Sequence, residues 1–171
     1  MNIMLIGMRG SGKTTVGKIL AKILKKDFIE TDKLIGEKAK MSIPKIIEKH
    51  GWDFFRNIES EVVQEVAEKD NIVIATGGGV VVSPKNIALL KKSGKLFWLT
   101  VSVPTLLKRI GNDKNRPSLT GKLRKEDMEV TLQERQKLYE NAADVVVDTE
   151  HVSAQKVAEA ILTDLEDTYV Y

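Results

Sequence analysis

Gly7-Met8-Arg9-Gly10-Ser11-Gly12-Lys13-Thr14 follows the apolar run Asn2-Ile3-Met4-Leu5-Ile6 and leads into a helical pattern. Strand, glycine-rich turn and helix in that order form the context in which G-x-x-x-x-G-K-[ST] holds a phosphate. The three glycines allow backbone conformations that side chains would block, so successive N–H groups can turn inward around an anion. The positive end of the following helix adds to that field. Lys13 can reach the β- and γ-phosphates of a nucleotide, and the Thr14 hydroxyl can bind Mg²⁺. A turn that matched only by chance would occur in well under ~1% of chains of this length at ordinary glycine usage. Gly10, Ser11, Gly12, Lys13, Thr14 and Thr15 are therefore the candidate nucleotide-binding residues. What receives the phosphate must be read from the rest of the chain.

The totals set the frame. A chain of 171 residues is most economically one domain with a substantial core. Apolar content of 42% and charged content of 30% suit a soluble globular protein. The net charge of +3 is mild and its basic residues are spread along the chain, which suits an anionic substrate better than a nucleic-acid surface. With no cysteine there is neither a disulfide framework nor a thiolate metal site. The chain opens on a strand pattern and has no apolar run near ~20 residues, so neither signal peptide nor membrane span is expected. A cytoplasmic monomer is the corresponding expectation.

Downstream of the phosphate loop, Val16, Ile19, Leu20, Ile23 and Leu24 recur at helical spacing. Phe28-Ile29 then reads as a short second strand ending at Glu30-Thr31-Asp32. In a parallel sheet the C-terminal strand ends share one edge, so both acids can face the phosphate loop. They can equally be polar residues at a strand exit or helix cap. Residues 32–40 look helical, Ser42-Ile43-Pro44 starts another helix, and His50-Gly51 ends it. His50 reads as a helix-end residue rather than a ligand. A longer helix follows from about Trp52 to Lys69, with Trp52 and Phe55 turned inward. Arg56 lies within it and either pairs with Glu59, three residues on, or faces a cleft.

Ile72-Val73-Ile74-Ala75 is the pattern of a strand buried on both faces. It runs into Thr76-Gly77-Gly78-Gly79, and three glycines in a row are costly unless the backbone must come close to something. A sharp loop alone would explain one or two. Ser83-Pro84 caps a helix ended by Gly94, Leu96 to Val101 is a fourth strand, and a helix runs from Pro104 to Ile110. Residues 111–122 then lack both period and apolar content, which suggests either a loose basic loop or a lid carrying Arg116 to the phosphates. Arg124 to Asn141 reads as a charged helix with Met128, Leu132 and Leu138 as apolar points. Asp144 to Val147 is a fifth strand, and a last helix runs from Ala154 to Leu165. Together these predict an α/β fold, a five-stranded parallel sheet with helices on both faces. The expected layout is a single kinase domain over 1–171. Its core covers about 1–31, 70–110 and 124–165, with a substrate-binding insert at about 32–62 and a mobile lid at about 111–123.

Taken in order, the phosphate loop, Glu30-Thr31-Asp32, Phe54-Phe55-Arg56, Gly77-Gly78-Gly79, Arg116-Pro117 and Glu134-Arg135-x3-Tyr139 resemble the shikimate kinase family. That family is a nucleoside-monophosphate-kinase-like branch of the P-loop NTPases, and the resemblance covers about residues 2–165. It implies transfer of the ATP γ-phosphate to the 3-hydroxyl of shikimate, a step toward the aromatic amino acids. It also implies that Lys13, Asp32 and Arg116 are catalytic, with Asp32 positioning or deprotonating the attacking hydroxyl. Arg56 and Arg135 would hold the shikimate carboxylate, a task that suits guanidinium forks. Gly77, Gly78 and Gly79 would line the substrate, and Arg116 would also contact the nucleotide phosphates. Thr14 would bind Mg²⁺ directly, with Glu30 and Thr76 reaching it through water.

Three departures are visible. Glu30 stands where many members have Asp, and Ser118-Leu119 stands where Leu-Leu is frequent. Around Glu150-His151-Val152 there is no arginine of the kind often found beside the adenine, so base contact is expected from backbone or His151. Two other functions would leave different marks on the sequence. A gluconate or nucleoside-monophosphate kinase would need a different insert: a monophosphate acceptor calls for further arginines, and only Arg56 lies between 32 and 62. A non-catalytic ATP-binding protein would be expected to lack the acceptor carboxylate or the lid cation, and Asp32 and Arg116 are both present.

Overall fold

Every residue of β1 (Asn2–Ile6) is buried, and its side chains divide strictly between the two faces of a sheet. Ile3 and Leu5 join one apolar cluster and Met4 and Ile6 the other. Such a strand can exist only with helices on both sides. In this computed structural model, which describes residues 1–111 and 124–168, that is the architecture. α1 (Lys13–Leu24), β2 (Asp27–Glu30), α2 (Thr31–Ala39) and α3 (Ile43–Ala67) follow β1. Next come β3 (Ile72–Ala75), a 3-10 turn at Val80–Val82 and α4 (Pro84–Ser93). β4 (Gly94–Thr100), α5 (Val103–Ile110), α6 (Arg124–Ala142), β5 (Val145–Asp148) and α7 (Ala154–Thr168) complete the described chain.

The five strands are all parallel, in the order β2-β3-β1-β4-β5. α1 and α7 cover one face through Val16, Leu20, Val157, Ile161 and Leu165. Residues from α2 to α6 cover the other, including Ile35, Ile46, Val62, Leu90, Leu106 and Met128. The expected sheet with helices on both faces is therefore present. Asn2, fully buried, stitches the sheet at its base: its amide donates to Lys69 O at 2.7 Å and its carbonyl accepts from Ile72 N at 3.1 Å. Because β1 is central and flanked by β3 and β4, the loops leaving β1, β2 and β3 open at the same edge.

Gly51, with φ 83° and ψ 175°, breaks the run Ile43–Ala67 into two helices at the place where the first was expected to end. Two local readings are refined. Gly94 both caps α4 and begins β4, opposite Asn2. On α6, Leu138 is exposed, and its neighbour Tyr139 is the residue that enters the core. One residue is a 100° rotation on a helix, and the sparse apolar pattern of α6 could not fix that angle. The expected lid at 111–123 falls almost wholly outside the described residues.

Candidate active site

The phosphate loop turns on conformations that only glycine takes easily. Gly7, Gly10 and Gly12 have φ of 139°, 83° and 101°. A Cβ at Gly7 would also sit 2.6 Å from Leu99 O, so that position cannot carry a side chain. Gly12 is the N-cap of α1, which aims the helix's free N–H groups into the loop. Lys13 is largely buried and its Nζ donates to Gly7 O and Met8 O, at 2.8 Å each. The loop thus holds its cation against its own carbonyls. Around it is a cavity of about 430 Å³, lined among others by Gly10, Ser11, Gly12, Lys13, Thr14 and Thr15.

The segment after β2 gives each of three consecutive residues a separate partner. Glu30 accepts a hydrogen bond from Thr14 Oγ1 at 2.6 Å. Thr31, buried, accepts one from Gly77 N at 3.0 Å, tying the exit of β2 to the exit of β3. Asp32 is exposed and lines both the phosphate cavity and a second one. Glu30 and Asp32 thus both line the phosphate cavity. Thr76 lines the phosphate cavity too, but its hydroxyl donates to Leu5 O at 3.0 Å.

The second cavity, of about 460 Å³, lies under α2 and α3. Ile43, Pro44, Ile47, Trp52 and Phe55 give it an apolar wall, and Arg56 and Arg135 bring two guanidinia. The two readings of Arg56 both hold. It pairs with buried Glu59 at 2.7 Å and also faces the cavity, over the rings of Trp52 and Phe55 at 5.5 and 5.2 Å. Such cation–π stacking fixes the plane of the guanidinium. Burial pushes the Glu59 carboxyl above the usual carboxylate range, opposed by the Arg56 guanidinium and reinforced by Asp32. Gly77, Gly78 and Gly79 form the floor. A Cβ at Gly77 would lie 2.5 Å from Asp32 Oδ1, and one at Gly79 would collide with the Arg56 guanidinium. The glycines are needed because the two polar side chains lie directly against the backbone.

Several contributors were not anticipated. Arg109, in the last turn of α5, closes the far end of the phosphate cavity with Thr149, Val152, Ala154 and Val157. It donates to Thr149 Oγ1 at 3.0 Å and to Thr149 O at 2.7 Å. The other end of α5 is anchored by Glu150, which accepts from Ser102 N at 2.8 Å and from Thr105 Oγ1 at 2.5 Å. Those bonds bring its carboxyl down to about 2. His151 is exposed and lies outside the lining, so base contact by that residue is not what the geometry favours. His50 stacks on Phe54 with ring centroids 4.5 Å apart, consistent with its reading as a helix residue. Arg116 lies outside the described residues.

Arg9 pairs with Asp127 of α6 at 2.8 Å, the carboxylate fully buried. This bond joins the phosphate loop to a helix 118 positions away in sequence. Removing one partner of a buried pair strands the other charge. Asp127→Ala is expected to lower unfolding free energy by about 3 kcal/mol, read as a drop in denaturation midpoint at unchanged slope. A loss below about 0.5 kcal/mol, within the range of ordinary surface changes, would contradict that reading.

The family model described as shikimate kinase matches residues 9–166. A shikimate kinase of Thermodesulfovibrio yellowstonii is 42% identical over 165 residues, covering 96% of this chain and 95% of that protein. The structure of shikimate kinase from Acinetobacter baumannii in complex with shikimate superposes with a TM-score of 0.95 at 35% identity, covering 99% of this chain and 95% of that one. The crystal structure of the Aquifex aeolicus enzyme gives 0.86 at 34%, covering 99% of both chains. Sequence and fold thus both match this family over nearly the whole length of the chain. The chain belongs to the shikimate kinase family.

Proposed function

We propose that this protein transfers the γ-phosphate of ATP to the 3-hydroxyl of shikimate, giving ADP and shikimate 3-phosphate. The observation that carries the reading is the seam between the cavities. Asp32, Arg9 and Gly78 line both, so one carboxylate borders the phosphate cradle and the pocket with two guanidinia. A ring bearing one carboxylate and several hydroxyls matches that second pocket. Arg56 and Arg135 suit the carboxylate, Asp32 and the glycine backbone suit the hydroxyls, and Trp52 and Phe55 suit the ring. A neutral sugar would bring no carboxylate to the two guanidinia that line this pocket. The Acinetobacter relative, crystallised with shikimate, supports the same acceptor here.

Phosphoryl transfer leaves a protein mostly positioning and electrostatics. Lys13 exchanges its loop carbonyls for phosphate oxygens and follows the charge that builds on them. Asp32 orients the attacking hydroxyl and accepts its proton. Mg²⁺ fits the donors present: the Thr14 hydroxyl would offer its oxygen while donating to Glu30, whose carboxylate would hold the ion indirectly. When bound, the ion neutralises charge across the β- and γ-phosphates. Arg109 and Val152 serve as the wall for the base, and Arg116 as the cation brought to the phosphates by a lid over 111–123. The insert at 32–62 is the acceptor-binding part of a single domain. The protein acts as a monomer in the cytoplasm; among the described residues no helix is long and apolar enough to cross a membrane.

Product analysis tests the chemistry. Phosphorus and proton spectra of the reaction product are expected to locate the new phosphate on the 3-oxygen, and phosphate on any other atom would overturn the assignment. The carboxylate clamp has its own test. Arg56→Ala and Arg135→Ala are each expected to raise the KM for shikimate by about 10- to 100-fold, the range for losing a charge-assisted hydrogen bond, with the ATP KM near wild type. An unchanged shikimate KM in Arg135→Ala would remove Arg135 from the clamp.

A further inference from the structure

Tyr139 is the largest fully buried side chain among the described residues. It donates to Gly78 O at 2.5 Å. Its ring stacks on Trp98, centroids 5.4 Å apart and planes inclined 15°, so the phenol has little freedom to turn. Trp98 in turn is the β4 partner of Ile6, the last strand residue before the phosphate loop. One helical turn back on the same helix, α6, Arg135 lines the acceptor cavity, and its charge opposes the rise that burial causes in the phenol. The Tyr139–Gly78 bond therefore ties the helix that carries Arg135 to the glycine floor of that cavity.

Gly78 is where the two sites touch. A Cβ there would come within 3.3 Å of both Gly7 O and Arg9 N, so its peptide is pressed between the phosphate loop and the Tyr139 hydroxyl. We propose that Tyr139 is a positioning residue, whose hydroxyl locks the carboxylate-binding arginine Arg135 and the Gly78 backbone into one unit beside the phosphate loop. The acceptor is thereby held in register with the phosphate it receives, although Tyr139 does not line the acceptor cavity itself. Burial pushes the phenol up to about 12, so it remains a proton donor throughout any assay range. This inference rests on the acceptor assignment above and goes beyond it, because a tyrosine filling the core needs only its ring.

Tyr139→Phe keeps the ring and its stack and removes only the hydroxyl. The expected result is a rise of about tenfold in the shikimate KM, the worth of one hydrogen bond to a charged group. The ATP KM should stay within twofold and the melting temperature should fall by only a few degrees. In an Arg135→Ala background the same substitution should add less than twofold, because Tyr139 acts through Arg135. Wild-type shikimate KM in a folded Tyr139→Phe protein would overturn the proposal, as would an equal rise in both KM values or a full tenfold increment on top of Arg135→Ala. Each of those results leaves the acceptor assignment standing. Absence of shikimate-dependent turnover in the wild-type protein would overturn the assignment and this inference together.

Discussion

Replacing Lys13 with alanine is expected to lower kcat for phosphoryl transfer by about a thousandfold or more, the scale set by removing a charge donor from a transition state. Lys13 is the cation that the loop motif fixes, and its ammonium is already held within the loop by two carbonyls at 2.8 Å, whereas Arg9, the loop's other cation, is paired with Asp127. Alanine therefore removes a charge and two internal bonds. Nucleotide affinity should fall as well, because the loop loses the bonds that shape it. The comparison to make is turnover at saturating ATP against nucleotide binding in the same variant. Transfer should be lost far beyond any loss of binding. A kcat within tenfold of wild type would mean that the transferring phosphate is stabilised elsewhere.

Asp32→Asn should produce the second largest effect, a fall in kcat of about 10²- to 10⁴-fold, the usual contribution of a general base. Asparagine retains the shape that fits against Gly77, where the carboxylate leaves no room for a Cβ. It can still hold a ring hydroxyl but cannot take its proton. ATP affinity should stay within about twofold, since the bonds of the phosphate cradle come from Lys13, Thr14 and Glu30. A variant with near-normal kcat would show that Asp32 only orients the acceptor. A variant that lost ATP binding instead would place Asp32 with the nucleotide. The two outcomes are separable because, among the described residues, Asp32 is the one acidic side chain that borders both cavities.

Much of this was legible in the sequence, for identifiable reasons. β1, the phosphate loop and α1 announce themselves because glycine, lysine and threonine occupy positions that chemistry dictates. The buried strand Ile72–Ala75 is visible as an unbroken apolar run. Glu30 and Asp32 were suggested by their place at a strand exit, and the structure adds that Thr31 between them is a structural tie to Gly77. Contacts between remote segments were not legible. Nothing local to Arg9 or Asp127 marks them as partners, and the strand order depends on pairings that no single segment encodes.

The misses share one cause. A lone basic residue in the last turn of a helix is ordinary, because it complements the helix dipole, and Arg109 hides among such residues. Only the fold brings it to the end of the nucleotide cavity. α6 is so rich in charge that its few apolar residues do not define a face, and Leu138 and Tyr139 exchange roles as a result. Glu59 was visible as the i+3 partner of Arg56, but its burial was not, and burial is what perturbs its carboxyl. Helix periodicity reports which side is wet; it does not report which buried polar group touches a substrate.

The most direct test of the account is ADP release from Mg-ATP with and without shikimate, with quinate, gluconate and AMP as parallel acceptors. The account predicts strong stimulation by shikimate and little by the other three. Stimulation by gluconate or AMP in its place would preserve the fold and the phosphate loop but contradict the Arg56 and Arg135 assignment. Tight ATP binding with no stimulation by any acceptor would contradict the claim that this protein is a kinase.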